Sequence, residues 1–198
     1  MTASSFQERL SAAKKGDEAS FTELFRSVQP QLLRYLRAMG GELAEDAAAE
    51  TWVSVVRGLH RFKGDDAGWR GWVFTIARAR LVDAQRRAGR TAVPVDAEAM
   101  LEGTAGNDDV VDSVEEMFST EAALALVARL PKEQAEVVLL RHVAGLDVKQ
   151  TAEILGKRPG AVRVASHRGL HRLEQILSSA PGSQSSRRCN ANDSVFGR

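Results

Sequence analysis

The sequence predicts an all-α protein composed of two small helical domains joined by a flexible acidic linker. Apolar residues recur at the 3.6-residue spacing of helices, and no segment alternates apolar and polar residues between tight-turn dipeptides. In addition, residues 91–120 contain eight acidic residues and no Lys or Arg, a composition too polar to form a packed core. These observations predict domains at residues 1–90 and 121–178, the linker at residues 91–120, and a disordered tail at residues 179–198.

Two helices are predicted at the start of the first domain. Helical spacing indicates a short helix that stops near Gly16, followed by a longer helix that is capped by Asp17 or Ser20 and runs to about Met39. The glycine pair at 40–41 ends this second helix. Its inner face is expected to consist of seven apolar side chains: Phe21, Leu24, Phe25, Val28, Leu32, Tyr35 and Leu36.

An acidic helix is predicted next, over residues 44–59. Four of its side chains are available for packing: Ala47, Trp52, Val53 and Val56. Beside them runs an acidic stripe: Glu42, Glu45, Asp46 and Glu50. The following residues, 61–68, are predicted to form a loop before a further helix over residues 68–90.

This further helix has aromatic residues at its start and arginines toward its end. Its helical wheel places Arg80 and Asp83 on the packed side, where an internal ion pair is predicted. The other arginines point elsewhere and are predicted to bind phosphates: Arg78, Arg86, Arg87 and Arg90. We assign Trp72 to the core. For Trp69 and Phe62 two interpretations stay open, namely core packing and ring stacking on an unpaired base.

The second domain contains a predicted helix-turn-helix at residues 146–173. Asp147 is expected to cap its first helix, with Gln150 three residues later, and Gly156 provides the turn. The inner side of the second helix carries small and apolar residues: Val162, Ala165, Gly169 and Leu173. The outer side carries Arg163, Val164, His167, Arg168 and His171. Among these the two arginines are the leading candidates for bidentate contacts to guanine in the major groove.

Basic residues are concentrated on both sides of the acidic linker. The net charge of +1 would be +9 without the eight linker acids. Residues 57–90 hold nine basic residues against three acidic ones, and residues 141–173 hold seven against two. This layout favours binding of a polyanion.

Several other classes of protein are disfavoured. No apolar stretch approaches the roughly 20 residues of a membrane span, and the N-terminus is charged where a signal peptide is apolar, so we expect a cytoplasmic protein without membrane insertion. The single cysteine, Cys189, allows neither an internal disulfide nor a cysteine zinc site. His167 and His171 have the spacing of a metal pair but no third ligand. We expect no metal, no cofactor and no enzymatic activity, since no catalytic motif is present.

Four segments, taken in order, resemble bacterial sigma factors of the extracytoplasmic function (ECF) group: FTELFRSVQPQLLRYLR, LAEDAAAETWVSVVRGLHRF, GWRGWVFTIARARLVDAQRR and LARLPKEQAEVVLLRHVAGLDVKQTAEILGKRPGAVRVASHRGLHRL. The resemblance spans about residues 21–177. It implies an alternative sigma factor that binds the clamp and flap regions of core RNA polymerase and directs the enzyme to promoters. Residues 1–90 would then be sigma region 2, and residues 121–178 would be sigma region 4.

The resemblance also implies which residues contact promoter DNA, both as duplex and as single strand. The first domain would capture the melted −10 element: the loop from Phe62 to Trp69 would receive an extruded base, and the basic helix would hold the strand by its phosphates. The residues implied to contact this element are Phe62, Lys63, Trp69, Arg78, Arg86, Arg87 and Arg90. The second domain would bind the −35 duplex through Lys157, Arg158, Arg163, Val164, His167, Arg168 and His171. Lys157 and Arg158 stand where the family often has apolar residues, and would serve phosphates.

Three further features follow from the same resemblance. The polymerase clamp would dock on Glu45, Asp46, Glu50 and Trp52, beside Ala49, where the family usually has Gln. The linker would thread the RNA path of the polymerase, and we hypothesise that its acids mimic the charge of the transcript. An anti-sigma factor is the remaining expected partner.

Two other functions fit parts of the sequence. A stand-alone helix-turn-helix repressor or activator would use the first domain as a sensor or dimerisation module, and operator binding without polymerase would favour it. A single-stranded nucleic-acid binder acting outside transcription would leave the duplex-binding helix without a purpose.

Overall fold

The computed structural model describes residues 5–91 and 122–179, and within these ranges every regular element is a helix. The all-α prediction is therefore confirmed. The predicted linker and tail lie almost entirely outside the described residues. Among the helices that are described, none is long and apolar enough to cross a membrane.

The first helix, α1 (Phe6–Lys14), begins at a reciprocal capping box. The Ser5 hydroxyl accepts from the Glu8 backbone N–H, and the Glu8 carboxylate accepts from the Ser5 backbone N–H. The helix stops at Gly16, as predicted, where φ is +95°, a backbone conformation open to glycine and rare for other residues. Leu10 is the main residue that α1 buries in the core.

The second helix, α2 (Glu18–Arg26), is capped by Asp17 and not by Ser20. The Asp17 carboxylate accepts a hydrogen bond of 2.8 Å from the Ser20 backbone N–H, which satisfies one of the unpaired donors of the first turn. Hydrogen bonds from Ser20 lower the pKa of Asp17, because they favour the ionised carboxylate.

The prediction of one continuous helix as far as Met39 is wrong. The chain breaks at Ser27 and Val28 and resumes as α3 (Gln29–Gly40). Pro30 lies in the first turn of α3, and a continuous helix cannot pass this point because proline lacks the backbone N–H and its ring clashes with the preceding turn. The predicted inner face is nevertheless buried or half-buried along both helices: Phe21, Leu24, Phe25, Val28, Leu32, Tyr35 and Leu36.

The fourth helix, α4 (Ala44–Gly58), matches its predicted extent but not its predicted packing. Val53 and Val56 are 49% and 54% exposed, so the expectation that they pack inward is wrong. Thr51 and Val55 occupy the inner face instead, because a helix of 3.6 residues per turn cannot point all four side chains to one side. Two exposed valines remain on the surface of the acidic helix.

The longest helix of the first domain, α5 (Asp66–Thr91), follows a short 3₁₀ turn and begins two residues earlier than predicted. The loop that precedes it is consequently short and consists of residues 62–65. Arg80 and Asp83 form the predicted ion pair at 3.8 Å, but their side chains are 40% and 50% exposed. The pair is therefore a surface feature and not an internal one.

The second domain consists of α6 (residues 122–128), α7 (Lys132–Val138) with a π-helical turn (Leu139–Val143), α8 (Val148–Leu155) and α9 (Pro159–Ser179). Its residues join the core of the first domain. Leu139, Leu140 and Leu146 belong to the same buried cluster as Tyr35 and Phe74. The two predicted domains thus pack directly against each other, which the sequence did not indicate.

Candidate nucleic-acid interface

The helix-turn-helix is fixed by local hydrogen bonds that the sequence predicted. The Asp147 carboxylate accepts from the Gln150 backbone N–H at 2.8 Å, and the Gln150 side chain accepts from the Asp147 backbone N–H at 3.0 Å. Gly156 ends α8 with φ +62° in the left-handed region. The capping box and the turn glycine are therefore confirmed.

Close packing holds α9 in place behind this turn. Val162 is fully buried, and Gly169 approaches α7 so closely that an added Cβ would lie 2.7 Å from Val138 Cγ2. Such a contact is closer than carbon atoms tolerate, so only glycine fits without a shift. The packed side of α9 is the side that the sequence predicted.

The opposite side of α9 faces solvent. All five residues predicted for it are exposed: Arg163, Val164, His167, Arg168 and His171. Of the two cations after the turn, Arg158 is exposed, whereas Lys157 forms an ion pair of 3.0 Å with Glu133. The division of the helix is confirmed, while DNA contact by these residues stays a prediction. Within residues 5–91 and 122–179, no three His, Cys, Asp or Glu residues converge as a metal site.

The aromatic residues at the start of α5 form a packed cluster. Trp69 is fully buried, and Phe62 is 8% exposed. Phe62 stacks on Trp72 with ring centroids 5.0 Å apart, and Trp69 meets Phe62 edge-on at 5.5 Å. Of the two interpretations left open for Trp69 and Phe62, the structure favours core packing, because neighbouring rings cover both side chains. Contact of these residues with DNA stays a prediction.

The loop at residues 62–65 is held by hydrogen bonds from two sides. From α1, Lys14 Nζ donates to the Phe62 carbonyl at 2.6 Å, and Gln7 Nε2 donates to the Gly64 carbonyl at 2.8 Å. On the side of α5, the Asp65 carboxylate accepts from the backbone N–H of residue 68 at 2.8 Å. Lys63, between the two bonded carbonyls, is exposed. No feature of the sequence points to Gln7 and Lys14, since no local spacing connects them to a loop about 50 positions away.

Two of the four arginines predicted to bind phosphates have acidic partners. Arg78 Nε donates to Glu136 Oε1 at 2.8 Å, and Arg87 Nη2 contacts both carboxylate oxygens of Glu50 at 2.9 and 3.0 Å. Arg86 and Arg90, on the last turns of α5, are exposed. Carboxylates therefore already engage part of each guanidinium group of Arg78 and Arg87, and contact of these two arginines with phosphates stays a prediction.

Glu136 connects the two domains. Besides Arg78, its Oε1 atom accepts from the Tyr35 hydroxyl at 3.2 Å. Burial raises the pKa of Tyr35, and the nearby Glu136 carboxylate raises it further, because both oppose ionisation of the phenol. A second bond joins Gln150 Nε2 of α8 to the Ala67 carbonyl of α5 at 2.9 Å. We call these five residues the interdomain contact.

Two residues of the acidic stripe form ion pairs with basic residues. Glu45 pairs with Arg37 at 2.8 Å, and Glu50 pairs with Arg87, whereas Asp46 is exposed. Trp52 is half-buried, and its indole N–H donates to the Gln29 side chain at 2.6 Å. The stripe, an edge of the indole and the two exposed valines of α4 together form a surface that is both acidic and apolar.

Two protein-family models match the chain. Sigma-70 region 2 matches residues 24–91, and sigma-70 region 4 matches residues 120–173. The first segment contains the acidic stripe, the loop at residues 62–65 and α5. The second contains the helix-turn-helix.

Curated relatives are similar to this chain in sequence along most of its length. The ECF RNA polymerase sigma factor ShbA of Streptomyces griseus is 38% identical over 178 residues, which cover 83% of this chain and 91% of ShbA. The ECF RNA polymerase sigma factor SigD of Mycobacterium tuberculosis is 33% identical over 184 residues, which cover 87% of this chain and 86% of SigD.

Solved structures share the fold at lower sequence identity. CnrH, determined in complex with the cytosolic domain of CnrY, superposes with a TM-score of 0.59 at 20% identity and covers 87% of this chain and 96% of its own. The sigma factor RpoE of Bartonella quintana, determined with the anti-sigma factor NepR, gives a TM-score of 0.58 at 21% identity, over 81% of this chain and 98% of RpoE.

Proposed function

The chain belongs to the ECF family of RNA polymerase sigma factors, and from this premise we propose how its residues divide the work of promoter recognition. It is an alternative sigma factor that directs core RNA polymerase to promoters. The proposal concerns which side chains bind the duplex, which bind the melted strand, and which dock on the polymerase.

The second domain binds the −35 duplex through α9. The observation that carries this assignment is the exposed basic side of α9, which follows the capped helix α8 and the turn at Gly156 as the second helix of a helix-turn-helix. Arg163 and Arg168 can each donate two hydrogen bonds to a guanine edge. His167, His171 and Val164 make the neighbouring contacts, and Arg158 and Lys157 serve phosphates.

The first domain captures the melted −10 strand: the loop at residues 62–65 receives an extruded base, and α5 holds the strand. The buried cluster of Phe62 and Trp69 supports this loop from below and does not itself stack on the base. Exposed Lys63, Arg86 and Arg90 lie in a position to hold the strand by its phosphates. Arg78 and Arg87 join them when Glu136 and Glu50 release them.

The acidic and apolar surface of α4 docks on the clamp of the polymerase. Glu45, Asp46, Glu50 and Trp52 supply charge and one aromatic edge. Exposed Val53 and Val56 add apolar area that has no partner side chain to cover it within the described part of the chain. Docking would also compete with Arg87 for the Glu50 carboxylate, and would thereby make this arginine available to DNA.

Promoter binding requires the two domains to separate. In the described arrangement α8 covers part of α5, so that the −10 strand and region 4 would occupy the same space near Ala67 and Arg78. We infer that binding to polymerase replaces the interdomain contact. Because the CnrH and RpoE structures contain CnrY and the anti-sigma factor NepR respectively, an anti-sigma factor is also the proposed inhibitory partner of this chain.

The experiment that tests the assignment is reconstitution with core polymerase on a pool of genomic promoters, followed by sequencing of transcript starts. Arg163→Ala should relax the preference at one −35 position by about 1–3 kcal/mol, the value of a bidentate guanine contact. Arg172→Ala removes the same charge from an exposed position of α9 outside the predicted reading side, and should leave the sequence preference unchanged.

Two outcomes would contradict the assignment. Equal relaxation by both substitutions would mean that α9 contributes charge and no base contact. Specific binding of a fully paired site in the absence of polymerase would favour the stand-alone repressor or activator.

A further inference from the structure

We infer that α1 is a positioning element for the loop at residues 62–65, with Gln7 and Lys14 as the positioning residues. The inference rests on the proposed function, in which this loop receives an extruded base of the −10 strand. It also goes beyond it, because the match to sigma-70 region 2 begins only at residue 24 and assigns nothing to α1.

The geometry of α1 places two donors over the loop. Gln7 and Lys14 are seven residues apart, which is close to two helical turns, so both side chains lie on one side of α1. Leu10, between them, is 3% exposed and anchors this side of the helix in the core. The helix is therefore docked, and its two polar side chains reach the loop from a fixed base.

The two hydrogen bonds fix the peptide groups on both sides of Lys63. Lys14 Nζ holds the carbonyl of Phe62 at 2.6 Å, and Gln7 Nε2 holds the carbonyl of Gly64 at 2.8 Å. Lys63 itself is exposed and has a backbone that can rotate in the absence of such restraints. With both neighbouring carbonyls bonded, the direction of the Lys63 side chain and of the nearby backbone groups is set before DNA arrives.

The other contacts of the loop do not fix the directions of these two carbonyl groups. Asp65 ties the far end of the loop to the start of α5, and the Phe62 ring is held among the tryptophans. A Cβ on Gly64 would lie 2.9 Å from the Phe62 ring, so the loop lies directly on the aromatic cluster. These contacts fix the ends and the underside of the loop, whereas the carbonyl directions depend on Gln7 and Lys14.

A positioned loop matters for the choice of base. An extruded base is selected by hydrogen bonds to its edge, and the selection requires donors and acceptors that are already in place. A loop that samples several conformations loses affinity for the correct base and discriminates less against the others. We therefore expect α1 to affect −10 base preference while leaving polymerase docking and −35 binding unchanged.

The test compares Lys14→Met with Lys15→Met in the reconstituted holoenzyme. Both substitutions remove one positive charge from neighbouring positions, but among the described residues Lys15 has an exposed side chain without a hydrogen bond or ion pair. Promoters randomised across the −10 element are competed against one another, as intact duplex and as templates with a pre-melted −10 region. Affinity for core polymerase and thermal stability are measured in parallel for each variant.

Lys14→Met and Gln7→Leu should each lower the discrimination between the preferred and other bases at the position that enters the loop by about two- to tenfold, the range expected for loss of one hydrogen bond. The loss should persist on pre-melted templates, because it concerns base capture and not strand separation. Lys15→Met should match the unmodified protein. Lys14→Arg, which keeps a donor, should recover part of the discrimination.

Gly64→Ala serves as the reference, because its added Cβ collides with the Phe62 ring and displaces the loop directly. If Gly64→Ala changes base preference but the folded double variant Gln7→Leu/Lys14→Met does not, the role of α1 is refuted and the proposed function stands. If neither changes base preference, the loop is not the site of base capture, and the proposed function of the first domain fails. Equal losses of base discrimination in Lys14→Met and Lys15→Met would mean that only the positive charge of Lys14 matters. This result would also refute the inference.

Discussion

Trp69 lies where the loop at residues 62–65 joins α5, and its ring is enclosed by Phe62 and Trp72. Its indole N–H is buried, and no hydrogen-bond partner for it is found among the described residues. An unpaired buried donor costs about 1–3 kcal/mol, which the burial of the large ring offsets. Trp69 therefore supports the shape of the loop, and we expect its effect on DNA binding to be indirect.

Trp69→Ala is expected to lower the free energy of unfolding by about 3–5 kcal/mol, because it leaves a large cavity in the aromatic cluster. Urea denaturation measures this loss. Trp69→Phe should lower the free energy of unfolding by less, since phenylalanine keeps an aromatic ring and removes the unpaired indole N–H donor.

Lys63→Ala is the matched counterpart at the surface of the same loop. It should change stability by less than about 0.5 kcal/mol and should weaken capture of the −10 strand. A stable Trp69→Ala variant with an isolated defect in strand binding would contradict the structural role of Trp69.

At the scale of elements, α9 depends on its contact with α7. Gly169 lies against Val138 and Gln134, whereas Gly160, near the start of the same helix, has open space where its Cβ would be. The two glycines share a helix and differ in what surrounds them. Replacing each glycine by alanine therefore measures how tightly α9 packs against α7.

Gly169→Ala should destabilise the protein by about 1–3 kcal/mol, because the added methyl group forces α9 away from Val138. Gly160→Ala should be neutral or stabilising by up to about 1 kcal/mol, since alanine has the higher helix propensity. Thermal or urea denaturation of the two variants gives the comparison. A neutral Gly169→Ala would mean that the helices are less closely packed than described.

At the scale of the whole molecule, the interdomain contact engages Arg78, one of the residues proposed to bind the −10 strand. Glu136 binds Arg78 and Tyr35 with a single carboxylate oxygen, and its side chain is 15% exposed. The pair is partly buried, so its loss leaves Arg78 without its counter-charge inside the contact. In the proposed function, strand binding therefore competes with the closed arrangement for Arg78.

Glu136→Ala should favour separation of the domains by about 1–3 kcal/mol, an amount reduced from the cost of a fully buried pair because Arg78 is 31% exposed. Small-angle scattering of the isolated factor should give a larger radius of gyration, and affinity for a single-stranded −10 oligonucleotide should rise. Glu133→Ala, which removes an exposed pair with Lys157 inside the second domain, should change neither. An unchanged radius and affinity for Glu136→Ala would show that Glu136 does not hold the domains together.

Features that depend on neighbours a few residues apart were predictable from the sequence. Asp147 and Gln150 are three residues apart and form the expected capping box, and Gly156 takes the expected left-handed turn. The sides of α9 follow from helical periodicity alone. Pro30 was also visible in the sequence, and the helix break that it causes could have been predicted by weighing its missing N–H.

The sequence by itself therefore determined the all-α class, most of the helices, the Asp147 cap, the helix-turn-helix and the family, because these depend on local hydrogen bonds and periodicity. Only the tertiary structure decided that Trp69 is enclosed, that Arg78 is paired with a residue 58 positions away, and that Lys14 holds a carbonyl 48 positions away. The physical reason is that exposure and charge pairing depend on which helices pack together. Packing is set by the sum of many weak contacts along the chain, so the spacing of residues within one segment does not reveal which helices pack together.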